Sequence, residues 1–593
     1  MDYRNIVNGH RIPSRSYVDQ PYIAILNDGS WLCVLTTGAG EEGDLGQHIV
    51  SIRSHDQGKS WSDPVAIEPS SGPEASFATP LHVPEFGGPL GRVYAFYGYN
   101  HDNLRRVIAG NAYSANRVDT LGSFVFRYTD DGGETWSAKR YEIPVREFDI
   151  DRENPYHGDI RFFWSVCKPT IANGRVFIGL HKVGSFGRGF MERSEGCFLA
   201  SDNILVEPDP ASIHWETLPD GRIGLRAILD DIADEQNIAV LSDGTLFCTY
   251  RTIDGHPCHA YSSDNGHTWT PPAHMTYGPG RRKVKHPRAS NFVRKFANGR
   301  FLYWFHNHGD RSYDGRNPSW LLGGVEVDTP EGRRLTWSEP EIAIYDDDLE
   351  SRISYPDFIE QGGKIFVTET QKTIARCHDL DPDVLKWLWA PTDRTGIAED
   401  GLIAKIDKRD AASEVQMPEL STLWRSRGGF TFDFVVRFNS LTPFQLLFDS
   451  RDGSGRGISI WLTDRTTLRI DICGATWGAN AQEYGKGLVA VNWECDAGLI
   501  CAGRPIHATV IVDGGPKTIC WVIDGAFNDG GEARSYGWSR FHPNLDIVNG
   551  AETARIAPTL DGKLSTLRIY DRALKMNEAA QNHTDMGLER SER

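Results

Sequence analysis

The chain has 593 residues, with 60 Gly, 17 Trp and 11% aromatic residues, which excludes a single ordinary core and fits an all-β protein of two or more domains rich in short strands and tight turns. Its formal net charge of −17 excludes nucleic acid and anionic membranes as general partners, so an anionic substrate would need a locally basic pocket. Ten cysteines, without CxxC pairs or Cys/His metal spacing, are expected to be buried thiols and not a disulfide frame.

In chain order, the opening MDYRNIVNGHRIP lacks a basic n-region and an apolar h-region, and no later apolar run could span a bilayer. A soluble, cytoplasmic chain with no membrane partner is therefore expected, or a secreted or periplasmic one if a signal was removed, and the sequence does not specify an oligomeric state. Next come six stretches in which an apolar or alternating strand meets a tight turn and a second apolar strand. They are PYIAILNDGSWLCVLTTG, LHVPEFGGPLGRVYAFYGYN, KPTIANGRVFIGLHKV, NIAVLSDGTLFCTYRT, NFVRKFANGRFLYWFHNH and DFIEQGGKIFVTETQK. Each reads as a β-hairpin, and their spacing predicts a propeller of roughly six four-stranded blades.

Between these hairpins one turn recurs: RSHDQGKSW, YTDDGGETW and YSSDNGHTW. Ser54/Asp56/Gly58/Trp61, Thr129/Asp131/Gly133/Trp136 and Ser262/Asp264/Gly266/Trp269 hold equivalent places. The short polar side chains can bond back to turn amides, Gly supplies positive φ and Trp packs the turn shut. That is a structural task and not a chemical one.

After Lys372 the pattern changes to a short helical piece, DPDVLKWLWAP, and a mixed segment to about Leu420. A second β-rich region follows, in which GGFTFDFVVRF alternates at period two and GISIWL, LRIDI, HATVIVDG and TICWVIDG continue the meander. We therefore expect a propeller over residues 1–395, then a linker and β-sandwich (jelly roll) over 396–593. The region from about Glu414 to His583 resembles laminin-G/concanavalin-like jelly rolls. No Gly/Ser- or Pro-rich linker separates the two halves.

The repeated turn and the blade pattern together resemble the Asp-box propellers of the sialidase superfamily, over about residues 10–390. Such turns occur in propellers of several activities, so function must come from the blade ends, where inner strands converge on one pocket. The resemblance implies roles for residues there. Glu235 before the fourth inner strand and Tyr355 before the sixth match the nucleophile pair. Arg251 and Arg316 match substrate-binding arginines, Glu369 an arginine-orienting acid, and Asp44 the acid/base, with Glu41 and Glu42 in GAGEEGD as close competitors for that role. The implied activity is retaining exo-hydrolysis of a terminal acidic sugar from a glycan. Guanidinium forks suit a carboxylate, and a neutral Tyr avoids the repulsion that a carboxylate nucleophile would meet at that centre.

One departure weakens the match. The superfamily's first blade opens on an arginine, but here DQPYIAIL puts Asp19 in its place. Arg11, Arg15, Lys168 and Arg288 are the cations that could substitute. Asp19 and Arg288 are carried as substrate-binding candidates. His101, His286, His306 and His308 raise the alternative of a lyase acting on a uronic-acid glycan, with His306 in the pocket; a further alternative is a non-catalytic glycan-binding propeller whose arginines only hold a ligand. KHPRAS and HNHG fit no compact metal-ligand set and GAGEEG lacks the helix and Lys of a phosphate loop, so no metal and no cofactor are expected.

Overall fold

Six sheets build the first unit, each wound outward from one inner strand. The computed structural model describes residues 2–109, 113–115, 117–119, 121–158, 163–187, 190–389, 396–409, 413–477 and 488–588. Residues 3–337 and 348–382 form one unit, and residues 338–347 and 383 onward form the other. The expected boundary at residue 395 falls outside the described residues.

Blade 1 is Tyr17–Ile25, Trp31–Gly38, His48–Ser54 and Val65–Ala66. Blade 2 is Ala75–Val83, Arg92–Tyr99, Ser123–Thr129 and Tyr141–Glu142. Blade 3 runs from Thr170–Ala172 through Arg175–Gly187 and Phe190–Ser201 to Glu216–Leu218, and a hairpin of Val107–Ala109 and Tyr113–Ala115 joins it. Blade 4 is Asp234–Val240, Leu246–Arg251, Cys258–Ser262 and Ala273–His274, and blade 5 begins Phe292–Lys295, Phe301–Phe305, Ser319–Thr329 and Gly332–Trp337. Blade 6 is Ser354–Gln361, Lys364–Thr370 and Ala375–Asp379, with His10–Ile12 as its outermost strand. The two ends of the propeller chain are thus paired within one sheet, Arg11 opposite Arg376.

The apolar cores lie between blades. Trp31 of blade 1 meets Phe366 of blade 6 edge to face at 5.0 Å, and Phe177 and Phe198 of blade 3 share a core with Ile238 and Cys248 of blade 4. Each such fully buried side chain contributes about 1.5–3 kcal/mol. The repeated turns tie into these seams. In each, the Ser or Thr oxygen bonds the Asp carboxylate (2.9, 2.7 and 2.8 Å) and accepts the glycine amide (2.8, 2.9 and 2.9 Å). The glycines sit at φ 83°, 92° and 87°, where a Cβ would be strained. The Trp then reaches the preceding blade: Trp136 Nε1 donates to Ser51 Oγ at 3.0 Å and Trp269 stacks on Phe198 at 5.0 Å.

A cavity of about 570 Å³ runs along the axis, lined by all six blades, from Tyr22 and Pro80 to Asn237, Phe292 and Asp357. The ten cysteines are free thiols, eight of them buried. Among the described residues no helix is long and apolar enough to cross a membrane.

The second unit contains two seven-stranded antiparallel sheets sharing one apolar core, a sandwich-like arrangement. Period-two alternation in Gly429–Phe438 buries Phe430, Phe432, Phe434 and Val436 together with Ile458, Ile460 and Ile470 of the facing sheet.

Candidate functional site

Four inner strands begin with the same irregularity. The ladder skips between Asp19 and Tyr22, Ser76 and Thr79, Asp234 and Asn237, and Ser354 and Asp357. One residue in each gap takes a left-handed backbone: Gln20 (φ 51°), Phe77 (61°), Glu235 (58°) and Tyr355 (50°). Such a bulge re-aims a side chain that regular pleating would direct elsewhere. It costs on the order of 1–3 kcal/mol per residue and persists only when its surroundings hold it. Here the preceding blade does so. The Tyr355 amide donates to Ser290 Oγ (3.0 Å), the Glu235 amide to His181 Nδ1 (3.3 Å) and the Phe77 amide to Thr36 Oγ1 (2.8 Å). In blade 1 the Gln20 amide uses Asp19 Oδ1 (3.0 Å).

Two of these bulges bring the sequence-matched pair together. Tyr355 Oη donates to Glu235 Oε1 at 2.9 Å, with both residues buried. Burial, opposed by Arg251 and reinforced by Asp234, raises the Glu235 carboxyl to about 7. Burial and the Glu235 charge push the Tyr355 phenol well above its usual range, so it stays protonated until a base takes its proton. The second carboxylate oxygen of Glu235 has no hydrogen-bond partner among the described residues.

Arg251 also reaches Glu235, Nη1 to Oε1 at 2.8 Å, but its fork is already committed to Asp234, at 2.7 and 2.8 Å. Asp234 and Arg251 are cross-strand partners, which explains the pairing. Arg316 differs. Its guanidinium bonds Ser354 Oγ and the Arg288 carbonyl, both at 2.8 Å, and forms no ion pair among the described residues although only 5% exposed. Burial lowers its proton affinity, with Arg251 adding to the effect and Tyr355 opposing it. Arg288 donates to the Met191 carbonyl at 2.6 Å and lies 4.7 Å from the Tyr313 ring centre.

Asp19 stands fully buried, accepting from Tyr17 Oη at 3.0 Å and paired with the Lys372 ammonium. Lys372 also lies 3.1 Å from Glu42 and 4.6 Å from the Tyr355 ring centre. Thus the acid in the first-blade position is covered by a cation from the end of blade 6. Of the cations named as substitutes for the first-blade arginine, Arg11 and Arg15 are exposed, Arg11 in the outermost strand of blade 6, and Lys168 pairs with Asp357 at 2.8 Å along the axial cavity.

Glu42 reaches this cluster, paired with Lys372 and with Arg117 at 3.5 Å. Burial alone would raise its carboxyl, but Lys372 and then Arg117 bring it down to about 2. Asp44 lies exposed two residues on, its carboxylate accepting the Glu41 amide at 2.7 Å, with no ion pair among the described residues. Glu369 is buried beside Arg376 (3.6 Å) and His378 (3.4 Å), on the neighbouring strand of its own blade, and not beside an arginine of the cluster.

Of the four histidines, His286 is engaged through both ring nitrogens, whereas neither ring nitrogen of the buried His306 has a hydrogen-bond partner among the described residues. His286 Nε2 bonds the Ala289 carbonyl at 2.8 Å, its Nδ1 accepts the His306 amide at 3.2 Å, and the two rings stack at 5.7 Å. Burial brings His286 down to about 3 and His306 well below its ordinary value, so both are neutral. His101 is exposed beside Asp102 and His308 is half-buried. Sequence reasoning missed Lys372, Arg117, Asp234 and His181. Asp234 had a signal, since it precedes Glu235 opposite Arg251. Lys372 had none, because its partner Asp19 is 353 residues away.

Residues 127–138 match the BNR/Asp-box repeat family. No curated protein matches the chain. Among solved structures, the chain is similar to the intramolecular trans-sialidase from Ruminococcus gnavus, at 13% identity and TM-score 0.43, over 63% of this chain and 96% of that one. It is similar to the Trypanosoma rangeli sialidase at 12% identity and TM-score 0.43, over 97% and 94%. A protein of unknown function from Dyadobacter fermentans gives 13% identity and TM-score 0.44, over 63% and 98%.

Proposed function

We propose that the chain is a retaining exo-glycosidase that removes a terminal carboxylate-bearing sugar, a sialic or other ulosonic acid, from a glycan. The observation that supports this most is the 2.9 Å bond between Tyr355 and Glu235 inside a cluster of cations. A phenol is a poor nucleophile with its proton on, and a carboxylate poised near neutrality is a suitable base for it. In the first step Tyr355 Oη bonds to the anomeric carbon while its proton passes to Glu235. The bond to the leaving oxygen breaks as an acid protonates that oxygen. In the second step water replaces the tyrosine, its proton goes to the conjugate base of that acid, and Glu235 returns the proton to Tyr355.

We assign the acid role to Asp44. Glu42, on the same loop, is held ionised by Lys372 and Arg117 and so cannot supply a proton near neutrality. Asp44 is the position that the sialidase resemblance gives the acid, and its exposed carboxylate accepts the Glu41 amide and forms no ion pair among the described residues. Arg316, buried and without an ion-pair partner among the described residues, is the group best placed to receive the sugar carboxylate, with Arg251 fixing Glu235. Asp19 does not oppose this, because Lys372 neutralises it. The second unit is proposed to be a laminin-G/concanavalin-like jelly roll that accompanies the propeller.

The test is product analysis on glycans ending in sialic, other ulosonic and uronic acids, with Y355F as control. Release of the free sugar with its anomeric configuration retained, lost in Y355F, supports the proposal. An unsaturated, ultraviolet-absorbing product would replace it with elimination, and binding without turnover would replace it with a glycan-binding propeller.

A further inference from the structure

Asp254, Cys258 and His274 stand apart from the Tyr355 cluster, on the outer strands of blade 4 and the loop that precedes them, and the proposed reaction uses none of them. Their donor atoms lie within 4.8 Å of one another. Cys258 and His274 are direct cross-strand partners, which puts their side chains on one face, and Asp254 enters from the DGHPC turn. Asp254 is 6% exposed, Cys258 is fully buried and the His274 side chain is 8% exposed. His274 Nε2 meets Asp254 Oδ2 at 2.9 Å, while Asp254 Oδ1, equally buried, has no hydrogen-bond partner among the described residues. A buried carboxylate oxygen left unsatisfied is costly unless something fills the place it faces.

From this geometry we infer that Asp254, Cys258 and His274 bind a zinc ion. One thiolate, one imidazole and one carboxylate make a donor set for zinc and a poor one for magnesium or calcium. Zinc bonds of about 2.0–2.3 Å would require donors roughly 3.3–3.8 Å apart, so the Asp254–His274 pair, now at 2.9 Å, opens slightly as the metal enters. The Cys258 thiol loses its proton to solvent, and the Asp254–His274 hydrogen bond is exchanged for two metal bonds. The fourth position falls to His256. Its ring centre is 5.2 Å from that of His274, and its Nδ1–H donates to the Val284 carbonyl at 2.8 Å, which leaves the Nε2 lone pair free. Asp254 follows Arg251 by three residues, so the metal would anchor the loop that leaves the Arg251 strand and act as a structural staple.

The full chain should be produced in zinc-supplemented medium, desalted, and its metal content measured. C258S, H274Q and, as a control for the exposed Cys501, C501S are treated alike, and each is checked for a native near-ultraviolet circular dichroism spectrum. One zinc per chain is expected in wild type and C501S, with at least tenfold less in C258S or H274Q. Cobalt exchanged into wild type should give a thiolate-to-cobalt charge-transfer band that C258S lacks. Wild type that retains no zinc overturns the inference, whatever the variants do. So does zinc or a charge-transfer band that survives C258S.

Discussion

Tyr355 Oη and Glu235 Oε1 meet at 2.9 Å across 120 residues of chain, and both residues leave their strands at positive φ. The meeting is a consequence of the bulges. A regular pleat would turn these side chains to the faces that pack between blades, whereas the extra residue in each inner strand turns them to one mouth. His181 and Ser290, from the blades before them, hold the two strained amides. H181A or S290A should therefore lower activity more than stability.

The Glu235 carboxyl binds its proton more tightly in the folded chain than in the unfolded one, since burial lifts it from 4.5 to about 7. Its contribution to stability is complete below pH 4.5 and is lost as pH rises through about 7. E235Q removes this dependence. Thermal denaturation should show E235Q more stable than wild type at pH 8, with the difference closing towards pH 4.5. Parallel curves would mean that Glu235 is not strained by burial. The kcat/KM profile should in turn rise with pH through about 7, as the base ionises.

Lys372 and Asp19 form a buried pair whose partners should depend on each other. Removing the cation alone, in K372M, leaves Asp19 without its charge partner and should cost roughly 3–5 kcal/mol. D19N combined with K372M should recover most of that loss. Additive single effects in a double-mutant cycle measured by urea unfolding would show that the pair is not coupled.

The two arginines should separate by phenotype. Arg251 spends its fork on Asp234, so R251K should lower the melting temperature. Arg316 has no carboxylate partner among the described residues, so R316K should leave stability nearly unchanged. It should instead weaken capture of an acidic sugar by roughly 1.5–3 kcal/mol, about 10- to 160-fold in kcat/KM. Equal kinetics for R316K and wild type would remove Arg316 from substrate binding.

The repeated turn should be separable from activity. D131A deletes the acceptor for the Thr135 amide and hydroxyl and the partner of Thr129. Stability should fall by roughly 1–3 kcal/mol while the folded fraction turns over as wild type does. Loss of turnover at unchanged melting temperature would contradict the structural assignment.

The propeller was legible because hairpin signals and the DxGxxW turns are local: each states its strand pair and seam within a few residues. The pairing of Tyr355 with Glu235 was suggested by blade register, since equivalent positions in different blades face the same mouth. What stayed hidden was long-range charge compensation. Asp19 read as an unexplained acid because Lys372, from the far end of the propeller, carries no local mark of its role. Asp44 was preferred to Glu42 on its place in the loop alone, and that Lys372 and Arg117 reach Glu42 carried no local mark. The Asp254, Cys258 and His274 cluster was equally invisible, as no compact spacing joins a turn to the neighbouring outer strand.

The central claim is that Tyr355 becomes covalently bonded to the sugar, and the direct test is trapping. The chain is incubated with 2,3-difluoro analogues of sialic and other ulosonic acids, which slow breakdown of a glycosyl-enzyme, and its peptides are mapped by mass. The account predicts one label, on Tyr355, absent from Y355F and sharply slowed in E235Q. A label on another residue, or full hydrolytic activity in Y355F, would contradict it.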